Sequence, residues 1–213
     1  MIFNNESAKK VAQSLLQIKA IKLQPNQPFS WASGWNSPIY CDNRKILSYP
    51  KIRTFIRHQF VLAIEEFFPK AEVIAGVATG GIAIGALVAE EMGLPFIYVR
   101  ASAKGHGLQN MIEGEIPTDK NVVIIEDLIS TGGSSLTALT ALRDAKCNVL
   151  GMVAIFTYGF ETAEQNFKEN NCKLITLSDY DTLITTAEAD NYIAESDIKS
   201  LAEWRKNPSE WKK

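Results

Sequence analysis

Cysteine is scarce in this chain. Its 213 residues hold three cysteines, Cys41, Cys147 and Cys172, an odd number with no CxxC pair. That excludes a disulfide framework and a thiolate zinc site, and it fits reduced thiols in a cytosolic compartment. A surplus of one charge is also lacking: 22 lysines and arginines face 24 aspartates and glutamates, for a formal net charge of −2. Binders of nucleic acid or of anionic membranes normally present a basic face, and no such surplus is available here. No apolar run is long enough to span a bilayer. The opening residues, MIFNNESAKK, lack the charged-then-apolar pattern of a secretory signal. Neither GxxxxGK[ST] nor GxGxxG occurs, which excludes a Walker A loop and the dinucleotide fingerprint. The expectation is a cytoplasmic protein that binds neither nucleic acid nor membrane.

What is present is an ordinary globular composition, 46% hydrophobic and 22% charged, long enough for one substantial core. Ala8, Val11, Ala12, Leu15, Ile18 and Ile21 recur at helical spacing and predict a helix over residues 6–21. Residues 25–43, with three prolines, a glycine and two tryptophans, predict a hairpin or structured loop. A helix is expected from Ser48 to Pro69, with Pro50 in its first turn. Short apolar runs then alternate with helical ones. Strands are predicted at 72–76, 95–100, 121–126, 148–156 and 173–177, and helices at 82–92, 134–145, 161–169 and in the C-terminal region. This alternation marks βαβ units and a mainly parallel sheet, whose ligands sit beyond the carboxyl ends of the strands. The acidic stretch 179–190 reads as a solvated face, and the tail EWRKNPSEWKK as a short helix end.

Residues 122–135, VVIIEDLISTGGSS, carry the strongest chemical signal. Four β-branched residues read as a buried strand ending in Glu126 and Asp127. Leu128 and Ile129 lead to Ser130, Thr131, Gly132, Gly133 and Ser134, which enter a helix. Small residues at a helix start let backbone N–H groups converge on an anion, where the helix dipole adds positive character. Two carboxylates beside a phosphate would be repulsive unless they had partners of their own. Ribose 2- and 3-hydroxyls are suitable donors, and a Mg²⁺ ion would offset the charge. The plain alternative, a strand-to-helix turn capped by Ser and Gly, accounts for the small residues but not for the acid pair. Residues 98–114, YVRASAKGHGLQNMIEG, add Arg100, Lys104 and His106 among three glycines. A Gly-rich loop with such side chains is suited to close over an anion and exclude water. Positioned cations stabilise a departing pyrophosphate, and His106 is able to donate a proton.

The run 122–135 resembles the phosphoribosyl-pyrophosphate (PRPP) motif of type I phosphoribosyltransferases, and residues 100–114 resemble the catalytic loop of the orotate phosphoribosyltransferases. Residues 29–43, FSWASGWNSPIYCDN, are similar to that family's N-terminal base-binding segment, and GVATGG (76–81) is similar to its pyrophosphate loop. The resemblance implies an α/β fold with a mainly parallel sheet flanked by helices, a small N-terminal hood and a mobile catalytic loop. It implies one domain over 1–213, with a helix and hood over about 1–47 and an α/β core over about 48–213. The implied activity is transfer of phosphoribose from PRPP to orotate in UMP biosynthesis. Lys104, His106, Arg100 and Asp127 would carry catalysis. PRPP would be held by Arg100, Lys104, His106, Glu126, Asp127, Leu128, Ile129, Ser130, Thr131, Gly132, Gly133 and Ser134, and orotate by Ser130. Mg²⁺ would arrive mainly on PRPP, with no residue assigned as its ligand. The catalytic loop would be shared across a homodimer.

The chain departs from the family at three cations: Ala32, Gly80 and Ala101 stand where many members have a basic residue. An arginine that contacts the orotate carboxylate in some members has no counterpart near TYGF (157–160), which leaves Arg44 and Lys45 as substitutes. Tyr40 and Cys41 fall where the family contacts the base through backbone groups. Trp31 and Trp35 are open to two readings, a packed hairpin or a stack on the pyrimidine. His58 reads as structural. Two rivals remain: a phosphoribosyltransferase for another base, which the KGHG loop opposes, and a non-catalytic PRPP sensor, which would lack the loop cations.

Overall fold

The computed structural model describes residues 1–31, 34–100 and 111–212. The first helix, α1 (Asn5–Gln17), is capped by Asn4, whose side chain accepts from the N–H groups of Glu6 and Ser7. It stops short of the predicted Ile21. Lys19 takes a φ of 54°, which breaks the helix, and Ile21 turns into strand β1 (Ile21–Leu23). Two short strands, β2 (Phe29–Ser30) and β3 (Asn36–Ser37), form the expected hairpin, and β4 (Ile39–Cys41) returns antiparallel to β1. A 3-10 turn over Asn43–Ser48 leads to α2 (Pro50–Phe67), with Pro50 in its first turn.

The body alternates strand and helix: β5 (Val73–Val77), α3 (Gly80–Met92), β6 (Phe96–Val99), β7 (Ile112–Glu113), β8 (Asn121–Ile129), α4 (Gly133–Asp144), β9 (Asn148–Thr157), α5 (Glu161–Glu169) and β10 (Leu174–Asp179). The helices α6 (Tyr180–Ala189) and α7 (Glu195–Lys206) close the order. The main sheet runs β10-β9-β8-β5-β6-β7, parallel except for β7 at one edge. Central strands of such a sheet are buried on both faces, and Val122, Val123, Ile124 and Ile125 are indeed fully buried. Their alternation divides the core. Val123 and Ile125 belong to the core that includes residues of α1, α2, α3, α6 and α7, whereas Val122 and Ile124 belong to the core on the other face, with residues of α4 and α5.

The order places β5 between β6 and β8. The chain therefore leaves β5 to one side and later returns on the other. Loops after β5 and β8 diverge at such a point and leave a crevice at the strand ends.

The C-terminal region is more than a helix end. Trp204 of α7 is fully buried, with its ring 5.5–5.7 Å from those of Trp31, Tyr158, Phe160 and Tyr180. Beyond it, Lys212 Nζ donates to the Pro25 carbonyl and the Asn36 amide donates to the Lys212 carbonyl, tying the tail to the hairpin. Helix α6 also differs from a fully solvated face. Its acids Asp181, Glu188 and Asp190 are exposed, but Tyr180, Leu183 and Ala187 are buried on the opposite side. Trp204→Ala removes the centre of the aromatic box and is expected to cost about 3–5 kcal/mol of stability, measured by urea denaturation.

Candidate active site

A cleft of about 470 Å³ opens where the switch point predicts it. One wall is the turn after β5, Ala78, Thr79 and Gly80, whose Ala78–Thr79 peptide is cis. The floor and opposite wall are Glu126, Asp127, Leu128 and the segment from Ser130 to Ser135. The third side is Cys41, Asp42 and Arg44, brought over by β4 and the 3-10 turn.

Helix α4 is preceded at its N-cap by Gly132, which has a φ of +85° and provides no side-chain cap. A side chain at that position would strain the backbone and meet the Phe167 ring, with a Cβ 2.8 Å from Cε2. Leu136 N–H is the first to bond back, to the Gly132 carbonyl. The N–H groups of the first turn are thus left for an external acceptor, with the positive end of the helix dipole behind them. Thr131, Gly133 and Ser134 are exposed and Ser130 is half-buried, so an anion reaches this turn freely.

The two carboxylates differ in role. Glu126 is only 4% exposed. Its Oε1 accepts from the Asp127 N–H at 2.9 Å, and its Oε2 accepts from the Ser135 hydroxyl at 2.9 Å. Burial, reinforced by the adjacent Asp127 charge, raises its pKa well above the usual carboxylate range. Asp127 is half-buried and leans against the β5 turn. A Cβ built on Gly80 would collide with its carboxylate group, so position 80 has no room for a side chain while Asp127 holds this pose. Beneath it, buried Asn43 donates from Nδ2 to the Asp127 carbonyl at 2.7 Å and accepts from the Cys41 thiol, which joins the N-terminal segment to the acid pair. Burial, with Asp127 and Asp42 nearby, pushes the Cys41 thiol up.

The expected residues therefore separate. Glu126, Asp127, Leu128, Ser130, Thr131, Gly132, Gly133 and Ser134 all line the cleft. Ile129 does not: it is fully buried, and its carbonyl is taken by the Tyr158 N–H and the Thr157 hydroxyl. The reason is that β8 runs through Ile129, further than the predicted Glu126, so this side chain points into the core. Arg100 stands just past β6, outside the cleft lining, where its guanidinium reaches Glu113 at 3.4 Å. Lys104 and His106, like Ala32 and Ala101, lie outside the described residues. Trp31 packs on Tyr158 and Trp204, and its Nε1 donates to the Ile39 carbonyl, which favours the packed-hairpin reading. His58 Nδ1 lies 3.3 Å from Glu91 on the surface. Reading the sequence missed Asn43 and Ser135 as supports of the acid pair. Only the run of small polar residues after Gly133 hinted at Ser135, and nothing local pointed to Asn43.

A larger cavity of about 660 Å³ lies between the start of α5 and helices α6 and α7. Its arginine, Arg205, is already paired with Asp181 and the Gly159 carbonyl, and it has no acid pair like Glu126–Asp127. The smaller cleft is the candidate site.

Comparison with known proteins agrees with this geometry. The phosphoribosyl transferase domain family matches residues 43–190. The orotate phosphoribosyltransferase of Porphyromonas gingivalis is 58% identical over 203 residues, 95% of this chain and 97% of that one. Its counterpart in Listeria innocua is 51% identical over 96% of this chain and 98% of its own length. The crystal structure of orotate phosphoribosyltransferase from Aeropyrum pernix superposes with a TM-score of 0.74 at 25% identity, covering 86% of this chain and 99% of that one. With an uncapped helix start and an acid pair at the switch point of its sheet, this chain belongs to the phosphoribosyl transferase family and, within it, to the orotate phosphoribosyltransferases.

Proposed function

We propose that the cleft binds PRPP and orotate and transfers the 5-phosphoribosyl group to N1 of orotate, giving orotidine 5′-monophosphate and pyrophosphate. The observation that carries this reading is the pairing, in one cleft, of an uncapped helix N-terminus with two carboxylates. The turn from Ser130 to Ser134 holds the 5-phosphate, and the carboxylates accept from the ribose 2- and 3-hydroxyls. Asp127 offers the more accessible oxygens. Glu126, with both oxygens engaged, chiefly fixes the strand end.

The bond from C1 of the ribose to the pyrophosphate oxygen breaks and the electron pair leaves with the pyrophosphate. N1 of orotate gives up its proton to solvent and forms the new bond to C1. Positive charge develops on the sugar as the bond breaks, so the nearby carboxylates are favourably placed for the transition state. Lys104, His106 and Arg100 serve the leaving group, as the resemblance implies. No group of three His, Cys, Asp or Glu side chains able to hold a metal occurs among the described residues. The open donors are carboxylate oxygens, which suit Mg²⁺ carried in on the PRPP diphosphate, where it would neutralise the leaving charge.

The reading extends to a single domain with its helix and hood over about 1–47 and its core over about 48–213. It also extends to a cytoplasmic homodimer sharing the loop over 100–114. No helix among the described residues is long and apolar enough to cross a membrane.

Loss of orotate absorbance on adding PRPP and Mg²⁺ tests the reaction; turnover with uracil or a purine, but none with orotate, would overturn the specificity. Gly80→Ala should drive Asp127 from its pose and lower kcat/KM by at least about tenfold while thermal melting changes little. The raised pKa of Glu126 has a consequence for stability. A carboxyl whose folded pKa lies above its unfolded value binds more protons when folded, so stability falls as pH rises from the unfolded pKa towards the folded one. Glu126→Gln should remove that slope, so that variant and wild type diverge in thermal melts as pH rises above the ordinary carboxylate range, with wild type losing more.

A further inference from the structure

Pairing between β5 and β8 stops at Gly76 and Ile125. Two positions later, side chains bind both backbone groups of Asp127. Its N–H donates to Glu126 Oε1 at 2.9 Å, and its carbonyl accepts from Asn43 Nδ2 at 2.7 Å. The two ties differ in reach. Glu126 is the neighbouring residue, whereas Asn43 comes from 84 positions earlier, at the start of the 3-10 turn. Among the described residues no other hydrogen bond joins the wall of Cys41, Asp42 and Arg44 to the acid pair. Asp42 accepts from Arg44 Nε, within the wall itself.

Asn43 is built into this place. It is only 1% exposed, and a buried amide needs partners at both of its ends. The Asp127 carbonyl can only accept, so the NH2 end must face it. The Oδ1 end then faces the Cys41 thiol, which donates at 3.3 Å. Burial first, then the charges of Asp127 and Asp42, raises the pKa of that thiol, so it keeps the proton it donates. Cys41 and Asp127 both line the cleft, on different sides, and Asn43 does not. Two hydrogen bonds therefore run beneath the cleft, from Cys41 through Asn43 to Asp127.

We infer that Asn43 is a positioning residue that couples the two halves of the cleft, so that a base seated against the Cys41 wall and a ribose phosphate seated on Asp127 and the α4 turn each tighten the other's binding. The inference rests on the reading of the cleft as an orotate and PRPP site, and it adds to that reading a link between the two substrates. A ligand that fixes Cys41 fixes the amide behind it. The amide fixes the backbone from which the Asp127 carboxylate projects. The second ligand then meets an acid already in place, and by linkage the effect is reciprocal.

The test uses orotate and ribose 5-phosphate, which cannot react because ribose 5-phosphate has no pyrophosphate to lose. Calorimetric titration gives the Kd of ribose 5-phosphate alone and with saturating orotate, and the ratio of the two is the coupling factor. Wild type should show a factor of about 5 to 10. Asn43→Leu, similar in size and unable to hydrogen-bond, should bring it below about 2, while the Kd of each ligand alone moves by less than about threefold. Contact between the ligands themselves is the same in every variant, so the difference isolates the share carried by the protein. Cys41→Ala keeps the bond from Asn43 to Asp127 but cuts the link to the wall, and its factor should fall between the two. A wild-type factor near one, or an unchanged factor in Asn43→Leu, overturns the inference. So does a parallel weakening of both single ligands with the factor kept, which would assign Asn43 to the fold alone. If Asn43→Leu does not fold, Cys41→Ala decides, and an unchanged factor there overturns the inference. Wild-type turnover of orotate with PRPP, measured alongside, judges the underlying reading independently.

Discussion

The buried carboxylate of Glu126 is the constraint from which the site follows. Burial disfavours its charged form, and both of its oxygens are engaged, one by the Asp127 N–H and the other by the Ser135 hydroxyl. The Ser135 bond ties the end of β8 to the first turn of α4 across the intervening loop. The N–H groups of the first turn of α4 have no side-chain cap and no intrahelical acceptor. Asp127, the next residue, is forced to the opposite side of the strand, into the cleft. Asn43 reaches the same backbone from the N-terminal segment, so the third wall hangs on the same strand end.

The charge inventory gives this cleft its character. Three carboxylates and one guanidinium line it among the described residues. Position 80 is glycine for a steric reason: the Asp127 carboxylate occupies the space that a side chain there would need. An acid packed against bare backbone leaves substrate hydroxyls as its natural partners.

The C-terminal segment shows how support is recruited from far along the chain. Trp204 fills the space between Trp31 of the hairpin, Tyr158 and Phe160 beyond β9, and Tyr180 of α6. Lys212 then fastens the hairpin. The wall carrying Cys41 and Arg44 is therefore braced by residues more than 150 positions away in sequence.

The alternation of strand and helix, the parallel sheet and the ribose-phosphate run at 122–135 were legible in the sequence, because buried β-branched runs, helical spacing and small residues at a helix start are local patterns. Boundaries were less legible. The first helix ends early because Lys19 turns left-handed, and β8 runs on to Ile129, which withdraws that side chain into the core. What only tertiary structure decided is which groups meet. Asn43 under Asp127, Asp127 against Gly80, and Arg44 rather than Lys45 facing the cleft are contacts between segments far apart in sequence. Spacing along a chain cannot encode them, since they depend on β5 and β8 lying side by side and on where β4 delivers the N-terminal wall.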